Sequence, residues 1–146
     1  MFQKLIVVCT ANICRSPMAE GLLNAGMKSG KCQIASAGTR ALIGQKAAPY
    51  TREVMQAHGL DVSNHRAQQA TEELLRSTDL VLAVDKSHLD WITSNFPYLR
   101  GRAHKLGKWR GDVDIPDPYG LPKEHFQSTY ELIHACVNDW LPRLIK

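Results

Sequence analysis

Apolar residues in this chain follow two alternating rhythms, and their order predicts the architecture. KLIVVC (Lys4 to Cys9) is a short unbroken apolar run, which reads as a strand buried on both faces. A helical pattern follows from about Pro17 to Met27, with Ser16 at the N-cap position and Gly30 beyond the end. CQIASA predicts a second strand. Pro49 opens a further helix that carries Val54 and Met55 and stops at Gly59, and Thr71 with Glu72 and Glu73 has the acidic first turn of a short one. DLVLAV (Asp79 to Val84) is another buried run, after which Asp85 is placed to cap a helix through KSHLDWITSNF. A brief strand around Ala103 to Leu106 completes the sheet. From near Pro122, Phe126, Tyr130, Ile133, Val137, Trp140 or Leu141, and Leu144 recur at three- and four-residue spacing, the stripe of a long last helix. Repeated strand–helix units predict an α/β domain of three layers, a parallel sheet with helices on both faces.

Composition narrows this picture without changing it. The 146 residues, 44% hydrophobic and 22% charged, suffice for one domain over 1–146 with a single core and no disulfide support. No stretch resembles a signal peptide or a bilayer span, so a cytoplasmic chain with reduced thiols and no membrane insertion is expected. The net charge of +4 suits an anionic ligand. Nucleic acid is not expected, because the densest basic group, GRAHKLGKWRG, lacks stacking platforms and reads as a solvated surface. Trp91, Trp109 and Trp140 read as packing residues. The four cysteines, Cys9, Cys14, Cys32 and Cys136, contain no C-x2-C pair and have no histidine at ligand spacing, so no metal site is expected.

The unusual residues sit at the first strand-to-helix turn, CTANICRSP, where open parallel sheets collect their ligands. Taken singly, Cys9 is a small buried residue ending a strand and Arg15 a surface cation. Together, Cys-x5-Arg-Ser between a buried strand and a helix has the length to wrap a tetrahedral oxyanion, with backbone N–H groups pointing inward. Arg15 would clamp two oxygens in a bidentate contact. The same positive surroundings favour a thiolate at Cys9, to which Ser16 can donate, and a thiolate inside a phosphate cradle is an in-line nucleophile for phosphorus. Expelling an alkoxide or phenoxide also needs a proton donor. DVDIPDPYG offers Asp112, Asp114 and Asp117 on a proline-broken stretch. Asp117 is the choice, since Pro118 fixes the backbone after it and Tyr119 supplies a ring for one substrate wall.

With CTANICRS and DPYG in view, the chain resembles the low-molecular-weight protein tyrosine phosphatases over essentially its whole length. The resemblance implies a four-stranded parallel sheet, cofactor- and metal-free hydrolysis through phosphocysteine, Cys9 as nucleophile, Arg15 as clamp and Asp117 as acid, then base. Thr10, Ala11, Asn12, Ile13, Cys14 and Ser16 become the phosphate-binding loop. It implies too that Asn12 holds that loop strained through Ser36 and His65, which by themselves read as a strand-end hydroxyl and a surface histidine. Cys14, otherwise equally a packing residue, becomes a redox partner able to form a reversible disulfide with Cys9. Gly120 after DPY, and a rim loop TRALIGQ with Leu42 and Ile43 but no aromatic residue, make the substrate wall less aromatic than in many eukaryotic members. That pattern resembles bacterial members acting on tyrosine autokinases of capsule or exopolysaccharide export, and Ile13, where phosphoarginine-preferring members carry threonine, favours the aryl ester. The expected partner is a phosphotyrosine protein, with Arg40, Lys46 and Arg110 as candidates for docking an acidic tail and a monomer favoured. Two rivals differ in class: arsenate reductase, whose thiol relay has no cysteine in DLVLAVDKSHLD, and a phosphotyrosine-binding module, which needs neither nucleophile nor acid.

Overall fold

The computed structural model describes residues 2–27 and 30–145. Its elements are β1 (Lys4–Cys9), α1 (Arg15–Gly26), β2 (Gln33–Gly38), α2 (Pro49–Ala57), α3 (Glu72–Arg76), β3 (Leu80–Ala83), α4 (Lys86–Asn95), β4 (Ala103–Lys105) and α5 (Lys123–Leu144). Among the described residues the four strands form one sheet, every pairing parallel, in the order β2-β1-β3-β4. This is the α/β three-layer arrangement the apolar pattern predicts.

Period-two alternation divides the two central strands between two cores. Leu5, Val7 and Cys9 of β1, with Leu80 and Leu82 of β3, pack with α1, α2 and α5 on one face. Ile6 and Val8, with Val81 and Ala83, pack with Leu75 of α3 and Ile92 of α4 on the other. The stripe on α5 is buried as its spacing requires, and of the two alternatives at its end Trp140 is in the core, its indole N–H donating to the Leu106 carbonyl at 2.8 Å.

The strand order places the site. The chain leaves β1 toward β2 on one side and returns to β3 on the other, so connections diverge beyond the carboxyl ends of β1 and β3 and leave a crevice there. One local expectation is corrected. Helix α1 starts at Arg15, not Pro17, and its N-cap residue is Cys14; Ser16 lies inside the helix and does not cap it. The wide loop delivers its last residues directly into helical geometry, which frees the Ser16 hydroxyl for other partners. Asp85 does cap α4, accepting from the His88 N–H at 3.2 Å, and Thr71 caps α3 through the Leu74 N–H.

Candidate active site

Residues 9–13 form a loop whose carbonyls all turn outward to fixed donors. The N–H groups of Thr39, Arg40 and Leu42 donate to the carbonyls of Cys9, Thr10 and Ala11 at 2.9, 3.0 and 3.1 Å, and Ala48 N–H donates to Ile13 at 2.8 Å. The Asn12 carbonyl is 2.7 Å from His65 Nε2. Because each trans peptide points its N–H opposite to its C=O, five outward carbonyls turn the following N–H groups toward the loop's centre. The β2 strand end must approach this loop closely: at Gly38 a Cβ would overlap the Thr10 carbonyl oxygen, so only glycine fits.

Asn12 sets the curvature. Its φ of +62° lies in the left-handed region, which costs a residue with a Cβ about 1–2 kcal/mol and which asparagine tolerates best. Fully buried, it is over-determined by its partners: Nδ2 donates to Ser16 Oγ at 2.7 Å and Ser36 Oγ at 2.9 Å, and Oδ1 accepts from Gln68 N–H at 2.9 Å. Ser36 in turn donates to Glu20 Oε1 at 2.6 Å, and His65 Nδ1 lies 4.0 Å from the same oxygen. Asn12→Ala is expected to lower stability by about 2–4 kcal/mol and kcat/KM on the order of 10²-fold through a misplaced loop. Denaturant melts and steady-state kinetics check this. Asn12→Gly, which relieves the backbone strain but restores no bond, should recover little, and full recovery would make strain rather than bonding the determinant.

Cys9 lines the cleft at the start of this loop, its sulfur 2.9 Å from Ser16 Oγ. Arg15 is 4% exposed and held from behind, its Nη1 donating to Asp85 Oδ2 at 3.0 Å and to the Ile115 carbonyl at 2.8 Å. Nε and Nη2 are left for a second, bidentate contact, their nearest carboxylate being Asp117 Oδ2, 3.7 Å from Nη2. Asp117 is half-exposed, and its Oδ1 accepts from the Tyr119 N–H at 3.1 Å in a proline-containing turn. The tertiary structure separates the three aspartates. Asp112 and Asp114 are taken by Lys105, at 3.5 and 2.7 Å, and Asp114 also accepts from Lys86 N–H, whereas Asp117 alone of the three faces the cysteine.

All the loop residues from Cys9 to Arg15 line one cleft of about 320 Å³, walled by Leu42, Asp117 and the 62% exposed ring of Tyr119. The cleft gathers the sequence-predicted site residues except Ser16, Ser36 and His65, which support the loop from behind. Burial and the neighbouring Asp117 and Cys9 push the Cys14 thiol up to about 12. Cys32 and Cys136 are buried away from the cleft, and among the described residues no group of three or more His, Cys, Asp or Glu is placed to hold a metal ion.

Three participants escaped the sequence reading. Asp85 is more than a cap, since its other carboxylate oxygen anchors Arg15. Burial opposes its charge, but contacts from His88 and Ser87 and the Arg15 guanidinium outweigh burial and hold the carboxyl well below the usual range. Buried His88 joins the two halves of the site, with Nε2 2.7 Å from Thr10 Oγ1 and Nδ1 3.0 Å from Asp85 Oδ1. Glu20 anchors Ser36. A carboxylate just past a central parallel strand was the available signal for Asp85; nothing local marked His88 or Glu20.

Known proteins share this arrangement over the whole chain. Residues 4–146 match the family model described as low molecular weight phosphotyrosine protein phosphatase. The low molecular weight protein-tyrosine-phosphatase Wzb of Salmonella typhimurium is 38% identical over 99% of this chain and 95% of its own length. The probable phosphatase EpsP of Ralstonia nicotianae is 40% identical over 99% and 97%. Vibrio vulnificus Wzb, solved in complex with benzylphosphonate, superposes with a TM-score of 0.93 at 38% identity, covering 98% of this chain and 99% of that one. With fold, cleft and whole-length similarity in agreement, this chain belongs to the low molecular weight phosphotyrosine protein phosphatase family.

Proposed function

We propose that this chain is a protein-tyrosine-phosphatase that hydrolyses phosphotyrosine and aryl phosphates through a phosphocysteine. The observation that carries the reading is the single cleft lined by every residue from Cys9 to Arg15 and by Asp117, with the five carbonyls of residues 9–13 all bonded to donors outside the loop. In the first step the Cys9 thiolate attacks phosphorus in line, the P–O bond to the phenol breaks, and Asp117 protonates the departing oxygen. Loop N–H groups and Arg15 carry the equatorial charge. In the second, Asp117 takes a proton from water, which attacks the phosphocysteine and releases inorganic phosphate with the thiolate restored. Leu42 and Tyr119 wall the aryl group. No protein-bound metal enters either step, so p-nitrophenyl phosphate should be hydrolysed equally with and without chelator. Asp117→Ala should lose roughly 10²-fold toward esters of poor leaving groups and much less toward p-nitrophenol, which leaves without a proton. A uniform loss across leaving groups would remove Asp117 from the acid role. Faster hydrolysis of phosphoarginine than of phosphotyrosine would overturn the aryl-ester reading.

The substrate we propose is a tyrosine autokinase of polysaccharide export, supported by the similarity to Wzb and EpsP. Arsenate reduction is not favoured, because Cys32 and Cys136 are buried outside the cleft and form no relay to Cys9. We also propose that Cys14 protects the nucleophile. Peroxide converts Cys9 to its sulfenic acid, and the Cys14 thiol condenses with it, forming the disulfide and releasing water. A thiol held near 12 stays protonated at neutral pH and is not itself the first target. After peroxide and then dithiothreitol, wild type should regain most activity and Cys14→Ala far less; equal recovery would rule the disulfide out.

A further inference from the structure

A second groove, of about 500 Å³, opens beside the catalytic cleft and shares two of its walls, Ile13 and Tyr119. Lys46 and Arg52 line it, and no carboxylate does. Lys46 is exposed and makes no ion pair among the described residues. Arg52 donates through Nε to the Ala47 carbonyl at 3.1 Å, which holds its guanidinium at the groove wall, and its terminal nitrogens have no carboxylate partner among the described residues. The nearest acid along α2, Glu53, is engaged instead by Lys123 at 3.5 Å.

The wall that carries these cations is pinned on both sides. Gly44 N–H donates to the Ala67 carbonyl at 2.9 Å, Ala67 N–H to Gln45 at 2.8 Å, and Ala48 N–H to Ile13 of the catalytic loop at 2.8 Å. The backbone that bears both cations therefore stands in fixed register with the phosphate cradle, and Arg52 is held further by its bond to Ala47. The other basic residues flagged in the sequence differ. Arg110 is neutralised by a two-pronged contact with Asp139 at 3.0 and 3.1 Å, and exposed Arg40 lines neither opening.

Resting on the phosphatase reading, we propose that this groove is a specificity subsite that receives an acidic side chain of the substrate within about three residues of its phosphotyrosine. Cleft and groove share Ile13 and Tyr119, so a peptide leaving the cleft over Tyr119, advancing about 3.3–3.6 Å per residue, enters the groove with its next residues. An aspartate or glutamate there meets two cations that the protein leaves uncompensated, and a lysine or arginine meets their repulsion.

The test compares kcat/KM for phosphotyrosine peptides of equal length carrying Glu, Gln or Lys at one to three residues on either side, with p-nitrophenyl phosphate as the flank-free control. Glu on one side should exceed Gln by roughly five- to tenfold at low salt, the advantage fading at 0.5 M salt as expected of exposed ion pairs. Lys46→Gln combined with Arg52→Gln should erase the preference, Lys46→Glu should turn it toward Lys flanks, and neither should change p-nitrophenyl phosphate hydrolysis by more than about twofold. Equal rates for Glu and Gln peptides, or a preference untouched by both variants, overturn the subsite while leaving the phosphatase reading in place. If wild type hydrolyses neither the control nor any peptide, the phosphatase reading fails and the subsite with it.

Discussion

Cys9→Ser is expected to abolish turnover, by on the order of 10⁴-fold or more, while inorganic phosphate still binds. The substitution shortens the side chain and replaces a thiol by a hydroxyl, altering only the contact with Ser16 and none of the backbone bonds that shape the cradle. The carbonyls of residues 9–13 keep their outward donors, and Asn12 keeps Ser16, Ser36 and Gln68. Chemistry and binding therefore separate at this one atom. Steady-state assays on p-nitrophenyl phosphate read the first, and calorimetric titration with phosphate reads the second. Residual activity at the per cent level would transfer the nucleophile's role elsewhere. Unchanged kinetics together with lost phosphate binding would contradict the cradle itself.

Arg15→Ala should have the next largest effect and should act on activity and stability together. Transition-state charge loses its bidentate partner, a loss of roughly 10³-fold in kcat/KM. Behind the site, Asp85 and the Ile115 carbonyl lose the donor they share, and Asp85 is mostly buried. Asp85 keeps His88 and Ser87 as partners, so the loss of the guanidinium lowers stability by about 1–3 kcal/mol. Arg15→Lys discriminates between the two roles. It keeps a charge near Asp85 and so should recover part of the stability, yet it cannot present a planar fork and should stay at least 10²-fold impaired. Denaturant melts alongside kcat/KM for the three proteins check this; a lysine variant with near wild-type turnover would reduce Arg15 to a simple counter-ion.

How much of this was legible varies with the range of the interaction. Strand β1 was read to its ends because an unbroken apolar run buried on two faces admits one conformation, and the α5 stripe was read because its period is set within the helix. The gathering of Cys9, Arg15 and Asp117 at one cleft was legible because a thiol, a guanidinium and a carboxyl have few other reasons to share such a pattern. Ser16 was misread as a helix cap, since cap preferences assume a free helix start. Here the hydroxyl is 2.9 Å from the Cys9 sulfur and accepts from Asn12. His65 and Ser36 entered only through family resemblance, because a histidine 53 residues from the carbonyl it serves carries no local mark.

Sequence alone determined the layers, the parallel sheet and the loop in which Cys9 sits, because hydrophobic periodicity and the reach of a nine-residue turn are properties of neighbouring positions. Only the tertiary structure decided which of three aspartates faces the cysteine, that Asp85 holds Arg15 across 70 residues, that His88 bridges Thr10 and Asp85, and that among the described residues Lys46 and Arg52 meet no carboxylate beside the cleft while Arg110 does. Charge pairing depends on distance in space, and the sheet order that brings the ends of β1 and β3 together sets those distances.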